Sequence, residues 1–213
     1  MTTTLPAAFF ARDVLDVARD LLGCRVTHAG VTVRLTEVEA YAGAADPGSH
    51  AFRGRSPRTE VMFGPAGRLY VYFTYGMHWC ANVVTGHEGA ASAVLLRGGE
   101  VVAGHDLAAA RRPGVRERDL ARGPARLATT LGLGREHNGL SLVGARSGGR
   151  VEGPVVPADP SRVRTGPRVG VSGAGGDGTA FPWRFWLDGD PTVSAYRRAT
   201  PRNRPSGSGV AAP

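Results

Sequence analysis

Two carboxylates and a tyrosine occupy alternate positions near the end of a predicted strand. Residues 31–41 alternate in the manner of a strand, which places five side chains on one side: Val33, Leu35, Glu37, Glu39 and Tyr41. Glu37 and Glu39 are therefore candidates for general acid–base chemistry. Such a pair is also typical of a solvated strand face or of partners for arginine, and strand alternation does not choose between these interpretations.

Aromatic side chains concentrate in residues 68–84, although only 7% of the chain is aromatic. This segment predicts two strands with a tight turn between them. Alternation turns three apolar side chains towards the core: Leu69, Val71 and Phe73. Tyr70 and Tyr72 face the other way, and Tyr75 lies at the turn, where burial is hardest. Aromatic rings presented in this way suit stacking on bases or wedging between base pairs.

The other polar residues do not predict a metal site. The two acids could combine with Asp46, His50 and His78, but the spacing matches no standard metal-binding pattern. Cys24 and Cys80 also lack zinc spacing and lie in apolar or strand-like segments, so we expect reduced, buried thiols. We expect the protein to use no metal and no cofactor.

The chain has a formal net charge of +8, and all 26 of its basic residues are arginine because the sequence contains no lysine. Clustered cations bind polyanions by releasing counterions, so nucleic acid is the first candidate partner. A genome rich in arginine codons would produce the same composition. Without a lysine amine no side chain can form a Schiff base, which favours attack by water in a reaction at a sugar.

The first 22 residues are apolar in part but carry five charged side chains: Arg12, Asp13, Asp16, Arg19 and Asp20. These charges interrupt the apolar stretch, so it predicts neither a secretory signal nor a membrane span. We therefore expect a soluble, cytoplasmic protein that does not bind a membrane and acts as a monomer.

The elements that position these residues predict an α+β fold. We expect a single domain over residues 1–200, with a curved antiparallel sheet, surrounding helices and a protruding hairpin, followed by a disordered tail over 201–213. The predicted elements are a helix over 11–22, strands over 24–27 and 31–41, a loop over 42–67, strands within 68–84 and over 91–97, a helix over 124–132, a loop over 143–166, and short strands over 169–171 and 183–187.

The short motifs of the chain, taken in order, resemble those of the alkyladenine (3-methyladenine) DNA glycosylase family. The motifs that carry the resemblance are Glu37-Val38-Glu39-Ala40-Tyr41, Ser49-His50, Ser56-Pro57-Arg58, Val61-Met62-Phe63-Gly64, Leu69-Tyr70-Val71-Tyr72, Tyr75-Gly76-Met77, Cys80-Ala81-Asn82, Val94-Leu95-Leu96-Arg97, Gly123-Pro124 and Arg168-Val169-Gly170-Val171. The resemblance begins at the predicted helix between Phe9-Phe10-Ala11-Arg12-Asp13 and Leu21-Leu22-Gly23, and it covers roughly residues 9–195, nearly the whole predicted domain.

The resemblance implies a different role for each residue of the pocket. Glu39, the second acid of its motif, would activate a water molecule, and Arg97 would orient groups near it. A flipped base would be held by aromatic side chains and bounded by an amide, in a pocket formed by Tyr41, His50, Tyr72 and Asn82. The amide of Asn82 would crowd the 2-amino group of guanine.

The resemblance also implies a surface for DNA. Tyr75 would fill the gap left in the duplex, with Met77 beside it, and Arg58 and Arg126 would contact the DNA backbone. The implied activity is that of a monofunctional DNA-repair glycosylase. It would flip a damaged purine out of duplex DNA and hydrolyse the N-glycosidic bond, leaving an abasic site.

Two other functions fit parts of the sequence. A non-catalytic nucleic-acid-binding module of similar fold would use the tyrosines only as a surface. A metal-dependent phosphoesterase would instead combine four polar side chains, namely Glu37, Glu39, Asp46 and His50. The sequence does not rank 3-methyladenine, 7-methylguanine, hypoxanthine and etheno-adducts as substrates of a glycosylase.

Overall fold

The computed structural model describes residues 3–74, 76–144 and 148–199. Within these residues eight strands form one antiparallel sheet: β1 (Arg25–His28), β2 (Val31–Tyr41), β3 (Leu69–Thr74), β4 (His78–Val84), β5 (Ala93–Ala103), β6 (Gly149–Glu152), β7 (Val163–Gly166) and β8 (Arg184–Leu187). The strand order is β3-β4-β5-β2-β1-β6, and β8 pairs with both β2 and β7. The two longest strands, β2 and β5, therefore pair at the centre of the sheet.

Helices cover one face of this sheet. The α-helices of the described residues are α1 (Ala7–Phe10), α2 (Val14–Asp20), α3 (His105–Arg111) and α4 (Pro124–Thr130), and 3₁₀ helices occur at Gly43–Ala45, Glu60–Phe63, Glu117–Asp119, Arg135–His137, Pro160–Arg162 and Ala174–Gly176. Helix α4 contacts β4 and β5, and α2 contacts β2. The α+β fold, its antiparallel sheet and the β3–β4 hairpin are as predicted.

Helices α2 and α4 follow the local signals in the sequence. The Asp13 side chain accepts a hydrogen bond from the backbone N–H of Leu15 at 2.8 Å and so caps α2. Helix α2 ends at Asp20, and the predicted helix over 11–22 was therefore too long at both ends. Helix α4 starts at Pro124 as predicted, because proline lacks the N–H that the first turn leaves unpaired anyway.

A bulge in β2 changes which side chains share a face. Leu35 pairs with Gly99 but Glu37 pairs with Gly98, so β2 has one more residue than β5 at this point. Val33 and Leu35 lie in the hydrophobic core, and after the bulge Val38 and Ala40 take over that face. The prediction that Val33 and Leu35 share a face with the two acids was wrong, since plain alternation does not account for an extra residue.

Three further predictions required correction. The predicted loop over 143–166 contains β6 and β7, which are strands of only four residues and leave little pattern in a sequence rich in Gly, Arg and Pro. Residues 169–171 form a turn and extended chain instead of a strand. Phe73 is 46% exposed and not part of the core, because the hairpin end projects past the helices and Phe73 packs against Trp79, with ring centres 4.8 Å apart.

Candidate active site

Glu39 is a fully buried carboxylate with its orientation fixed by neighbouring groups. Its Oε1 accepts a hydrogen bond from the backbone N–H of Val169 at 2.7 Å, and its Oε2 accepts one from the Tyr41 hydroxyl at 2.9 Å. Arg97 Nη1 lies 3.5 Å from Oε1. A carboxylate has about four acceptor positions, so these contacts fix Glu39 and still leave it able to bind one water molecule.

Glu37 is equally buried but has a different set of partners. Its Oε1 accepts hydrogen bonds from Arg97 Nε and Arg184 Nε, both at 2.7 Å, and from Ser194 Oγ at 3.0 Å. Its Oε2 accepts one from the backbone N–H of Ser194 at 2.8 Å. These contacts use the acceptor capacity of Glu37 for structure, and they hold Arg97 beside Glu39. The structure thus separates two acids that strand alternation left equivalent.

Aromatic side chains gather next to Glu39, where the hairpin meets the loop that follows β2. The ring of His50 packs edge-on against Tyr72 with ring centres 4.6 Å apart, and Tyr70 stacks on Tyr72 at 5.5 Å. Asn82 is buried, and its amide donates a hydrogen bond to the backbone carbonyl of Tyr70 at 3.1 Å. The four residues predicted for the pocket therefore lie in one cluster beside Glu39, namely Tyr41, His50, Tyr72 and Asn82.

Burial shifts the pKa of the titratable groups in this cluster. Burial, with the Glu39 charge adding to it, raises the pKa of the Tyr41 hydroxyl well above its ordinary value. The pKa of Tyr72 is also raised, first by burial and then by Cys80. The pKa of His50 is lowered to about 4 by desolvation and by the Arg58 cation. At neutral pH both tyrosines keep their protons and His50 is uncharged.

Both cysteines are buried and free, as predicted. Burial raises the pKa of Cys24 to about 12 and that of Cys80 to about 11, so both remain thiols at neutral pH. In the part of the chain that the structure describes, no three His, Cys, Asp or Glu side chains are placed to hold a metal ion. The acids proposed for a metal site are instead bonded to arginines, Glu37 to two of them and Asp46 to Arg168.

Comparison with known proteins identifies the family. Residues 8–204 match the sequence profile of methylpurine-DNA glycosylase (MPG). The chain belongs to the methylpurine-DNA glycosylase family. The family predicted from the sequence is therefore confirmed, and with it the predicted class of enzyme, a monofunctional DNA glycosylase.

Similar proteins from bacteria carry the provisional name 3-methyladenine DNA glycosylase. The chain is 55% identical over 207 residues to one from Streptomyces avermitilis, covering 95% of this chain and 96% of the relative. It is 54% identical over 205 residues to one from Frankia casuarinae (92% and 93%), and 47% identical over 194 residues to one from Burkholderia lata (89% and 90%). The similarity thus extends over nearly the full length of each protein.

A buried ion pair behind Tyr41 is the part of the glycosylase site that the sequence analysis missed. Arg168 binds both carboxylate oxygens of Asp46 at 2.6 Å, and neither side chain is exposed. The guanidinium carbon of Arg168 lies 4.6 Å from the centre of the Tyr41 ring. Arg168 directly precedes Val169, which donates to Glu39. The sequence holds one hint of this pair, which is that Arg168 begins one of the family motifs. Asp46 is a candidate in the sequence analysis only as a metal ligand.

Three of the four predicted DNA contacts, Met77, Arg126 and Arg58, are exposed in the described part of the chain. Met77 is 67% exposed at the hairpin turn, and Tyr75 lies outside the described residues. Arg126 is exposed on α4. The pKa of Arg112 is lowered first by burial and then by the nearby charge of Arg126. Arg58 is exposed too, but its guanidinium carbon lies 5.6 Å from the centre of the Tyr72 ring, next to the pocket. No helix among the described residues is long and apolar enough to cross a membrane.

Proposed function

We propose that this glycosylase flips a damaged purine out of duplex DNA and hydrolyses its N-glycosidic bond with a water molecule activated by Glu39. The observation that carries the proposal is the buried Glu39 carboxylate, held by Tyr41, Val169 and Arg97 beside an aromatic cluster. The substrates are alkylated or deaminated purines in duplex DNA, the product is an abasic site, and the enzyme acts as a monomer.

The chemistry follows from the bond that breaks. As the purine leaves, the sugar gains oxocarbenium character, and a nearby carboxylate stabilises this positive charge. Glu39 also accepts the proton of the water that attacks the sugar carbon. Because the sequence contains no lysine, no side-chain amine competes with this water to form an imine. The reaction therefore ends at an abasic site with the strand intact.

Base flipping is proposed because the sugar carbon of a stacked nucleotide is inaccessible within a duplex. Tyr41, Tyr72 and His50 supply rings on which an extruded purine stacks, which offsets part of the cost of unstacking. Asn82 is held in place by its hydrogen bond to the Tyr70 carbonyl, so its side chain can exclude the 2-amino group of guanine by its bulk. Normal guanine would then fit the pocket poorly.

We assign the contacts to the duplex to Tyr75, Met77, Arg126 and Arg58. Tyr75 fills the space that the flipped nucleotide leaves, and Met77 inserts beside it. The exposure of Met77 at the hairpin turn supports this assignment. Arg126 binds a backbone phosphate, since no acidic partner is recorded for it among the residues that the structure describes. Arg58 also contacts the DNA backbone, at the edge of the pocket.

The test is a panel of duplexes that each contain one lesion, incubated with the protein in the presence of a chelator and then treated with alkali. We expect strand cleavage only after alkali and with at least one damaged purine. A protein–DNA adduct trapped by borohydride would overturn the water mechanism. Binding of the lesions without excision would instead favour a non-catalytic nucleic-acid-binding module, and loss of activity with the chelator would favour a metal-dependent enzyme.

A further inference from the structure

Arg58 lies where a ligand of the pocket would also lie. Its guanidinium carbon is 5.6 Å from the centre of the Tyr72 ring, within the range of a cation–π contact. Its Nη2 lies 3.3 Å from His50 Nε2, and the His50 ring packs against the same tyrosine. No carboxylate is recorded within ion-pair distance of Arg58 among the described residues. The Arg58 cation is therefore held by an aromatic ring, a neutral imidazole and the hydroxyl of Tyr70.

His50 can hold Arg58 only in one protonation state. An Arg N–H is always a donor, so His50 Nε2 must accept, and the ring proton must then be on Nδ1. Nδ1 lies 3.1 Å from the Tyr70 hydroxyl, to which it donates. The low pKa of His50, about 4, keeps the ring neutral and this arrangement intact at physiological pH.

We propose that Arg58 determines the selectivity of the pocket, favouring neutral damaged purines over cationic ones, through a guanidinium that His50 holds against the Tyr72 ring. The proposal rests on the proposed function, since it concerns the base that this pocket receives. A cationic purine that stacks on Tyr72 meets the positive charge of Arg58, and like charges repel. A neutral purine avoids that repulsion.

The guanidinium can also donate a hydrogen bond to a ring nitrogen that accepts in a neutral purine and is methylated in a cationic one. Arginine has five N–H donors, and Arg58 is recorded to use them towards His50 and the Tyr70 hydroxyl, which leaves further donors for a ligand. The other donors can bond to N7 of a neutral base such as hypoxanthine. In 7-methylguanine the N7 acceptor is methylated and the ring carries a positive charge. Arg58 therefore acts on both charge and hydrogen bonding.

The experiment compares single-turnover excision of 7-methylguanine and hypoxanthine, each placed opposite cytosine in the same duplex. Arg58→Gln removes the charge, and we expect it to raise the ratio of 7-methylguanine to hypoxanthine excision by about tenfold at low salt. Arg58→Lys keeps the charge and should leave the ratio near that of the wild type. Since Arg58 is exposed, thermal melting should show that all variants fold.

Arg53→Gln is the matched control, because Arg53 is an exposed arginine of the same loop with no hydrogen bond or ion pair recorded among the described residues. It should leave the ratio unchanged. Should Arg58→Gln slow both reactions equally and reduce only the salt dependence, Arg58 contacts the DNA backbone alone, without acting on the base, and the proposal is wrong. If the wild type excises neither base, the proposed function fails, and the ratio of the two dissociation constants still tests Arg58.

Discussion

The two tyrosines of the candidate pocket each contact a guanidinium, but the two contacts differ in burial and in bonding. Arg168 lies behind Tyr41, fully buried and bonded twice to Asp46. Arg58 lies over Tyr72, is exposed, and is bonded to the uncharged side chains of His50 and Tyr70 instead of a carboxylate. Arg168 cannot move away from Tyr41 without breaking a buried ion pair, whereas the exposed Arg58 side chain can change its position when a ligand binds.

The same difference divides the whole site. What we call the buried side consists of Glu39, Tyr41, Asp46, Arg97 and Arg168. What we call the exposed side consists of the exposed side chains of His50, Arg58 and Met77, together with Tyr72, which is half-buried as Tyr41 is. Water attack at the sugar requires fixed geometry, which the buried side supplies through multiple hydrogen bonds. Recognition of several damaged bases requires adjustment, for which the exposed side is suited. The predictions below test this division.

Arg168→Met should cause the largest change in the free energy of unfolding. It leaves the Asp46 carboxylate buried without its partner, which costs about 3–5 kcal/mol. Arg58→Met should stay within about 0.5 kcal/mol of the wild type, as expected for an exposed side chain. Unfolding in urea measures both. Equal losses for the two variants would mean that the buried side and the exposed side do not differ as described.

Glu39→Gln should produce the largest loss of activity among variants that remain folded. It removes the charge and basicity of the carboxylate while keeping its size, so single-turnover excision should fall about 100-fold or more. Lesion binding should be kept or become tighter, because a negative charge near DNA is removed.

Glu37→Gln is the control for Glu39, because Glu37 is an equally buried acid on the same strand. Its main effect should be on stability, since it weakens bonds to Arg97, Arg184 and Ser194. At a temperature where both variants are folded, Glu39→Gln should be the slower enzyme. The reverse order would assign water activation to Glu37.

Met77→Ala should affect DNA binding and not folding. Met77 is 67% exposed, so its truncation removes little buried surface. Loss of the apolar side chain that inserts beside Tyr75 should weaken binding of a lesion duplex by about 1.5–3 kcal/mol, the range for full burial of one methionine side chain. Titration of a fluorescent duplex measures this, and undamaged single-stranded DNA, which needs no wedge, serves as the comparison. If Met77→Ala binds the lesion duplex as tightly as the wild type does, Met77 does not contribute to DNA binding.

The pH dependence of folding should show a smaller effect from His50. Its pKa is about 4 in the folded protein and 6.5 ordinarily, so between these values the unfolded chain binds more protons. The free energy of unfolding should therefore rise with pH from about 4 to 6.5 and level off above. His50→Gln should make this rise less steep. Burial also lowers the pKa of His28, which will keep part of the slope. An unchanged slope in His50→Gln would contradict the assigned pKa.

Local patterns predicted the elements that carry the site, and long-range contacts decided how the site works. Alternation predicted β2 and the hairpin, and a proline predicted the start of α4. Alternation did not reveal that Glu37 binds Arg184 and Ser194, which lie 147 and 157 residues further along the chain. The choice of Glu39 over Glu37 came from family resemblance and stays a prediction, although the structure shows that the two acids have different partners.

The bulge and the Asp46–Arg168 pair show two different limits of sequence reasoning. The bulge adds one residue to β2 without any change in composition, so the alternation appears continuous across Thr36. Asp46 and Arg168 lie 122 residues apart in segments that read as loops. An ion pair between two loops has no spacing that a sequence could show, and it is found only when the fold brings the segments together.

The contact between Glu39 and Val169 has a consequence for mutational tolerance. The donor is a main-chain N–H, which every amino acid except proline possesses. The side chain at position 169 can therefore vary without removal of this hydrogen bond to the Glu39 carboxylate. In a library that samples all amino acids at position 169, proline should be the one replacement that is depleted for want of this hydrogen bond.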